Sequence, residues 1–180
     1  MEKFSAAHMN MVEMAQQKPT LNACVSQENT EQILWSGIGF LLKEHRLVCA
    51  VNEVAEVLVV PKITRIPGVQ CWMQGVANVR GRLLPIVDLG LFLSKSVTVE
   101  PAPAQRLLVV EKGPICVGII VDDVLGHQHC QTELWKPAEI KNAELLSYLA
   151  GEFSDSQGKL WYVFSMERLL ANPQFLNAAL

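Results

Sequence analysis

Residues 127–130 read His127-Gln128-His129-Cys130, the densest run of ligand-type side chains in the chain. Successive side chains of a β-strand point to opposite faces, so His127 and His129 would share a face and could reach one zinc ion, with Cys130 facing away. A closed zinc site needs further ligands, and no second His or Cys cluster supplies them. The other reading is two surface histidines beside a buried thiol. Asp122-Asp123, just upstream, could do acid–base work, but no histidine, serine or lysine stands at a linked spacing, and such a pair also caps a strand before a turn. Gly37-Ile38-Gly39 starts like a dinucleotide loop, yet Leu42 replaces the third glycine and no helix follows, which leaves strand glycines. Phosphate-loop, nucleophile-elbow and HExxH patterns are all missing.

Half of the 180 residues are hydrophobic, enough to bury a core in one domain or two small ones. The net charge of -3, with no stretch interleaving basic and aromatic residues, argues against a nucleic-acid surface. The first twenty residues lack the apolar centre of a secretory signal. The longest apolar run, Ile115 to Val121, is far short of the roughly 20 residues that cross a bilayer, so direct membrane insertion is not expected. Cys24, Cys49, Cys71, Cys116 and Cys130 are odd in number and form no CxxC pair, which fits reduced thiols in a cytoplasmic protein.

Several elements must position any site. Residues 1–30 are polar and weakly periodic, an extension that is partly helical or disordered. QILWSGIGFLL and HRLVCAV, split by Lys43-Glu44-His45, predict a β-hairpin. In NEVAEVL, residues 52–58, Asn52 could cap a short helix with Val54, Val57 and Leu58 at i, i+3 and i+4. Pro61 would end it and send VVPKITRI out as an extended edge. Residues 94–105 form a connector, and RLLVVEK and ICVGIIV are two strands about Lys112-Gly113-Pro114. Both are aliphatic on both faces, which predicts burial in a closed or sandwiched sheet. A helix is expected within 137–150, a strand at GKLWYVFS, and a helix through Leu170 that Pro173 restarts or kinks. The fold class is therefore all-β with short helices.

The segment Gly75 to Gly90, GVANVRGRLLPIVDLG, breaks this regularity. Pro85 inside an aliphatic run predicts an edge strand or a bulge, where no ladder partner needs its missing N–H. Arg80 before Gly81 is either a snorkelling surface arginine or a partly desolvated one that needs an acidic partner.

Gly75-Val76-Ala77-Asn78-Val79-Arg80-Gly81, three residues, then Pro85-Ile86-Val87-Asp88-Leu89 closely resembles the signature of the CheW-like domain of bacterial chemosensory systems. Upstream, Val54-Ala55-Glu56-Val57 looks like that family's short helix, followed by Ile63-Thr64-Arg65-Ile66-Pro67; downstream, LLVVEK, GIIVDDVLG and LWYVFSMERLL resemble its second half. The SGIGF strand, the block from Pro67 to Leu89 and the N-terminal extension look most like the PilI-type branch of the type IV pilus (twitching motility) system. The resemblance spans about residues 31–172, with 173–180 as a C-terminal helical tail. It implies two five-stranded SH3-like β-barrels sharing a core, no active site, no cofactor and no metal. It also implies an adaptor that couples a membrane chemoreceptor to a CheA-like histidine kinase. Carried over residue by residue, it pairs Glu56 with Arg80 at or near a partner-binding surface, and Val57, Arg65 and Asn78 are the neighbouring candidates. The competing expectations are a generic flagellar-type CheW adaptor and, from another class, a metal-dependent enzyme using His127, His129 and Asp122 or Asp123.

Overall fold

The computed structural model describes residues 34–94, 105–131 and 135–179. The N-terminal extension and most of the 94–105 connector lie outside these residues. The chain runs β1 (Leu34–Leu42), β2 (His45–Ala50), one 3-10 turn (Val51–Glu53), β3 (Val54–Val59), β4 (Met73–Val79), β5 (Arg82–Asp88) and helix α1 (Leu89–Ser94). It continues through β6 (Arg106–Lys112), β7 (Ile115–Val121), β8 (Asp123–Gln131), α2 (Ala143–Leu146), β9 (Leu149–Ser154), β10 (Leu160–Phe164), α3 (Met166–Ala171) and α4 (Pro173–Leu176). These strands form two five-stranded sheets, ordered β8-β1-β2-β10-β9 and β3-β6-β7-β5-β4, which is the expected mostly-β architecture.

The two sheets have the same wiring. Walking β3, β4, β5, β6, β7 in one matches walking β8, β9, β10, β1, β2 in the other, and each contains one parallel pair, β5 with β7 and β10 with β2. Each sheet curls and is joined end to end by a single two-hydrogen-bond bridge. Thr64, just beyond edge strand β3, exchanges N–H···O bonds of 2.8 and 2.9 Å with Val76 of β4; Lys136, just beyond β8, does the same with Glu152 of β9 at 2.9 and 2.8 Å. A glycine precedes the bridged residue in both. A Cβ on Gly75, whose φ is +136°, would stand 2.1 Å from the Thr64 carbonyl oxygen, and one on Gly151 would stand 2.8 Å from that of Lys136. The crossing backbone occupies the volume a side chain would need.

Three apolar layers follow. Between the sheets lies a shared core containing Phe40, Leu47, Val87, Leu108, Val110, Ile119 and Phe164. The second barrel is filled by Ala77, Val79, Leu84, Ile86, Leu107, Val109 and Ile120, and the first by Val48, Cys130, Phe153, Trp161 and Val163. Strands β6 and β7 therefore bury both faces, as their uninterrupted aliphatic sequence requires. The C-terminal tail joins this packing: Phe175 stacks on Trp72 with ring centroids 5.9 Å apart and meets Phe92 edge-on, and Ala179 bridges Val69.

Three expectations are corrected. Asn52 to Leu58 is not a helix: only Val51–Glu53 turns, and Val54–Val59 is an edge strand paired with β6. In a seven-residue window, i, i+3, i+4 spacing and the alternate residues Val54, Glu56 and Leu58 are both present, and pairing to β6 decides between them. Pro85 lies on an interior strand, between β4 and β7. It stands opposite Val76, whose N–H and C=O both bond Thr64, and the β7 ladder starts only at Ile86, so no partner is deprived of a proline N–H. The helix within 137–150 shrinks to Ala143–Leu146, capped by the Asn142 side chain: β9 takes over at Leu149, and before the helix the chain is tied to β9 through the Lys136–Glu152 bridge and the Glu139 N–H, which donates to the Glu152 carboxylate at 2.9 Å.

Asp88 is the one buried charged side chain among the described residues. It ends β5 and caps α1, its Oδ1 accepting the Leu91 N–H at 2.9 Å. Burial pushes its carboxyl above the ordinary range and nearby Asp122 adds to this, while the Leu91 and Gly90 amides and Lys43 act the other way. Asp122 sits where the chain crosses from β7 to β8; its N–H donates to the Leu41 carbonyl at 3.1 Å and its carboxylate accepts the Lys43 N–H.

A folded-state pKa raised above the unfolded value means the native protein holds that proton more tightly, so stability falls as pH rises from about 4 through the raised value. Asp88→Asn keeps an acceptor for Leu91 and removes the charge; urea unfolding across this range should show a flatter pH dependence than the parent. Gly75→Ala should cost more than about 2 kcal/mol in the same measurement, because φ and the Thr64 carbonyl both exclude the methyl.

Candidate functional site

The β4–β5 hairpin turns through two residues, Arg80 and Gly81, with φ of +49° and +83° and Val79 opposite Arg82. This is the two-residue turn whose twist matches the flanking strands, and it needs left-handed backbone at both positions. Glycine fits that need; arginine at the first position costs about 1 kcal/mol. The Asn78 Oδ1 accepts the Gly81 N–H at 2.8 Å and braces the turn from inside the strand.

Glu56 reaches the same place from β3. A register shift after Val54 sets Glu56 opposite Val109, whose side chain lines the second barrel, so the glutamate points into the end of that barrel. The Glu56 side chain is only 23% exposed, and Oε1 is met by the Arg80 guanidinium, itself 76% exposed. A half-buried carboxylate needs such a partner. The structure thus brings Glu56 and Arg80 into one ion pair, from an edge strand rather than from a helix.

Sequence reasoning missed a second pair at this end of the barrel. Arg82, on the other side of Gly81, pairs with Glu111 near the end of β6, and the Cys116 thiol donates to the same Glu111 oxygen at 3.3 Å. The thiol and Arg82 hold the Glu111 carboxyl below the ordinary range; Glu111 in turn raises Arg82, and burial with Glu111 pushes the Cys116 thiol up. The available signal was Arg82 itself, which shares strand parity with the inward Leu84 and Ile86 and so needs an acidic partner at the barrel end.

Of the neighbouring candidates, Asn78 is exposed and braces the turn, Val57 is exposed on the outer face of β3, and Arg65 is exposed on the segment that closes the barrel beside Gly75. Arg65 has no ion-pair partner among the described residues. Val59 and Leu83, 73% and 69% exposed, are large apolar groups on the same barrel, and Leu83 stands opposite Asn78. Leu83 could have been found from strand parity once Leu84 and Ile86 were assigned inward.

Elsewhere, His127 and His129 are exposed on β8, and Cys130 is buried in the first barrel with the Trp135 Nε1–H donating to its sulfur at 2.9 Å. Among the described residues, no three His, Cys, Asp or Glu side chains are grouped to hold a metal ion. Asp122 and Asp123 cap backbone, on Lys43 and Val124 respectively. No helix of the described residues is long and apolar enough to cross a membrane.

Doubled five-stranded sheets with an Arg–Glu pair on a strained hairpin define a β scaffold whose polar groups gather at barrel ends. Residues 36–174 match the CheW-like domain, and the chain belongs to that family of chemotaxis signalling proteins. It is 43% identical over 150 residues to Protein PilI of Pseudomonas aeruginosa, covering 81% of this chain and 80% of that protein. It is 26% identical over 157 residues to Chemotaxis protein CheW of Klebsiella aerogenes, covering 84% and 91%. The scaffolding protein TtCheW from Thermoanaerobacter tengcongensis shares the fold with a TM-score of 0.64 at 21% identity, over 73% of this chain and 84% of that one.

Arg80→Gly separates fold from site. It relieves left-handed strain of about 1 kcal/mol and removes a part-buried ion pair, leaving Glu56 without its cation at a cost of about 1–2 kcal/mol. Chemical denaturation should place the variant within about 1 kcal/mol of the parent, and a crystal structure should show the hairpin turn retained.

Proposed function

We propose that this protein is a noncatalytic adaptor that couples a membrane chemoreceptor to a CheA-like histidine kinase in a cytoplasmic, receptor-associated array. The observation that carries the reading is Arg80, an arginine held in glycine's conformation on an exposed turn, where its only described partner is Glu56. A turn needed for folding alone would be served better by glycine or asparagine. Lys43, at the β1–β2 turn, carries the same left-handed strain, so it is the combination at Arg80 of that strain with an exposed guanidinium paired to a part-buried carboxylate that supports a contact role. Exposed aliphatic groups on the same barrel, Val57 with the more exposed Val59 and Leu83, provide the apolar area that a reversible interface uses.

Glu56 orients the guanidinium, Arg80 presents its remaining N–H groups to a partner carboxylate or carbonyl, and Val57, Arg65 and Asn78 form the surrounding contact area. The likeness to a Pseudomonas PilI protein over four-fifths of both chains supports placing the adaptor in the system that governs type IV pilus twitching motility.

The test is a pull-down of the cognate CheA-like kinase and pilus chemoreceptor by the parent protein and by Arg80→Glu, with circular dichroism as the folding control. Folded Arg80→Glu should lose at least one partner, with a roughly tenfold or greater loss for a central charged contact. Full retention of both would place the interface elsewhere.

A further inference from the structure

The segment Arg80-Gly81-Arg82 carries a second device. Its two arginines diverge from one turn to carboxylates on two strands that pair with each other, Glu56 on β3 and Glu111 on β6. Glu56 stands opposite Val109, and Glu111 lies two residues further along β6, on the same face. Because β5 runs parallel to β7 and antiparallel to β4, the hairpin turn, the start of β3 and the end of β6 all meet at one end of the second barrel. The turn is thus tied by one arm on each side of Gly81.

We propose that Arg82 and Glu111 are positioning residues for the docking arginine: their pair holds the Arg80-Gly81 turn across the barrel end and so sets where the Arg80 guanidinium is presented. This rests on the adaptor reading above. Arg80 is held in left-handed backbone, which a residue other than glycine keeps only where its surroundings over-determine it. The inner brace, from Asn78 to the Gly81 N–H, fixes the fold of the turn but not its swing relative to β3 and β6. The two ion pairs fix that swing. Glu111 is held in turn by the Cys116 thiol from β7, so the Arg82 arm ends on a carboxylate that is itself positioned. With Glu56 alone, Arg80 would be tethered to an edge strand; with both arms the turn is fastened to the central pair of the sheet as well.

A binding cycle on the full chain with the kinase's regulatory domain tests this, together with hydrogen exchange at the Gly81 amide in the free protein. Arg82→Gln and Glu111→Gln should each weaken binding by about fivefold, and the double variant should be no weaker than either single one, since both remove one interaction. Each should also speed Gly81 exchange, and Arg82→Lys should recover part of both effects. Weakened binding from Arg82→Gln with Glu111→Gln silent would mean that Arg82 touches the partner directly and would overturn the positioning role. Unchanged Gly81 exchange in both variants would overturn it as well. If Arg80→Gln leaves binding intact, the adaptor site is wrong, and the clasp is then decided by Gly81 exchange alone.

Discussion

Strands β6 and β7 must satisfy an apolar layer on each side, and the rest of the molecule is arranged around that demand. Leu108, Val110, Val117, Ile119 and Val121 face the core between the sheets, while Leu107, Val109 and Ile120 face the interior of the second barrel. Gly118 shows how full that interior is: a Cβ there would lie 2.7 Å from Ile86 and 2.9 Å from Leu107. A sheet with no solvent-facing side at its centre cannot hold charged chemistry there. Polar groups are displaced to the ends and edges of the barrels, where Glu56, Arg80, Arg82 and Glu111 are found. The location of the candidate site is thus a consequence of how the core is built.

Closure follows from the same economy of space. Each sheet is completed by one bridge beside a glycine, Thr64–Val76 at Gly75 and Lys136–Glu152 at Gly151. Because β1 and β2 pair with β8 and β10, the first hairpin of the described residues belongs to the barrel formed by their last strands. The two barrels are circularly permuted versions of one wiring, and neither is complete without residues from far along the chain. Phe175 adds a further tie by closing the aromatic group of Trp72 and Phe92.

Much of this was legible in the sequence, and the failures have physical causes. The β1–β2 hairpin, the doubly buried β6 and β7, and the helix ending near Leu170 with Pro173 starting another turn follow from alternation, turn residues and proline chemistry. Val54 to Val59 was misread because helical and strand spacings coincide over so few residues, and the deciding contact, β6, is some fifty residues away. Pro85 was misread because proline reports a missing hydrogen bond without reporting which neighbour would have received it. The pairing of Glu56 with Arg80 came from family resemblance; spacing alone left Arg80 with two readings. Glu111 and Cys116 were invisible as partners of Arg82 because only the fold brings them to that turn.

Arg80 shares its left-handed backbone with Lys43 of the β1–β2 turn, but it alone of the two joins that strain to an exposed guanidinium aimed at a part-buried carboxylate, and this combination leaves donor groups to offer another molecule. The central claim is therefore about where the Glu56–Arg80 pair does its work. The most direct measurement is a double-mutant cycle with Glu56→Gln and Arg80→Gln, read in parallel by denaturant unfolding and by partner binding. The account predicts a coupling of about 1 kcal/mol or less in unfolding and a larger one in binding. Strong coupling in unfolding with none in binding would make the pair a structural clamp and contradict it.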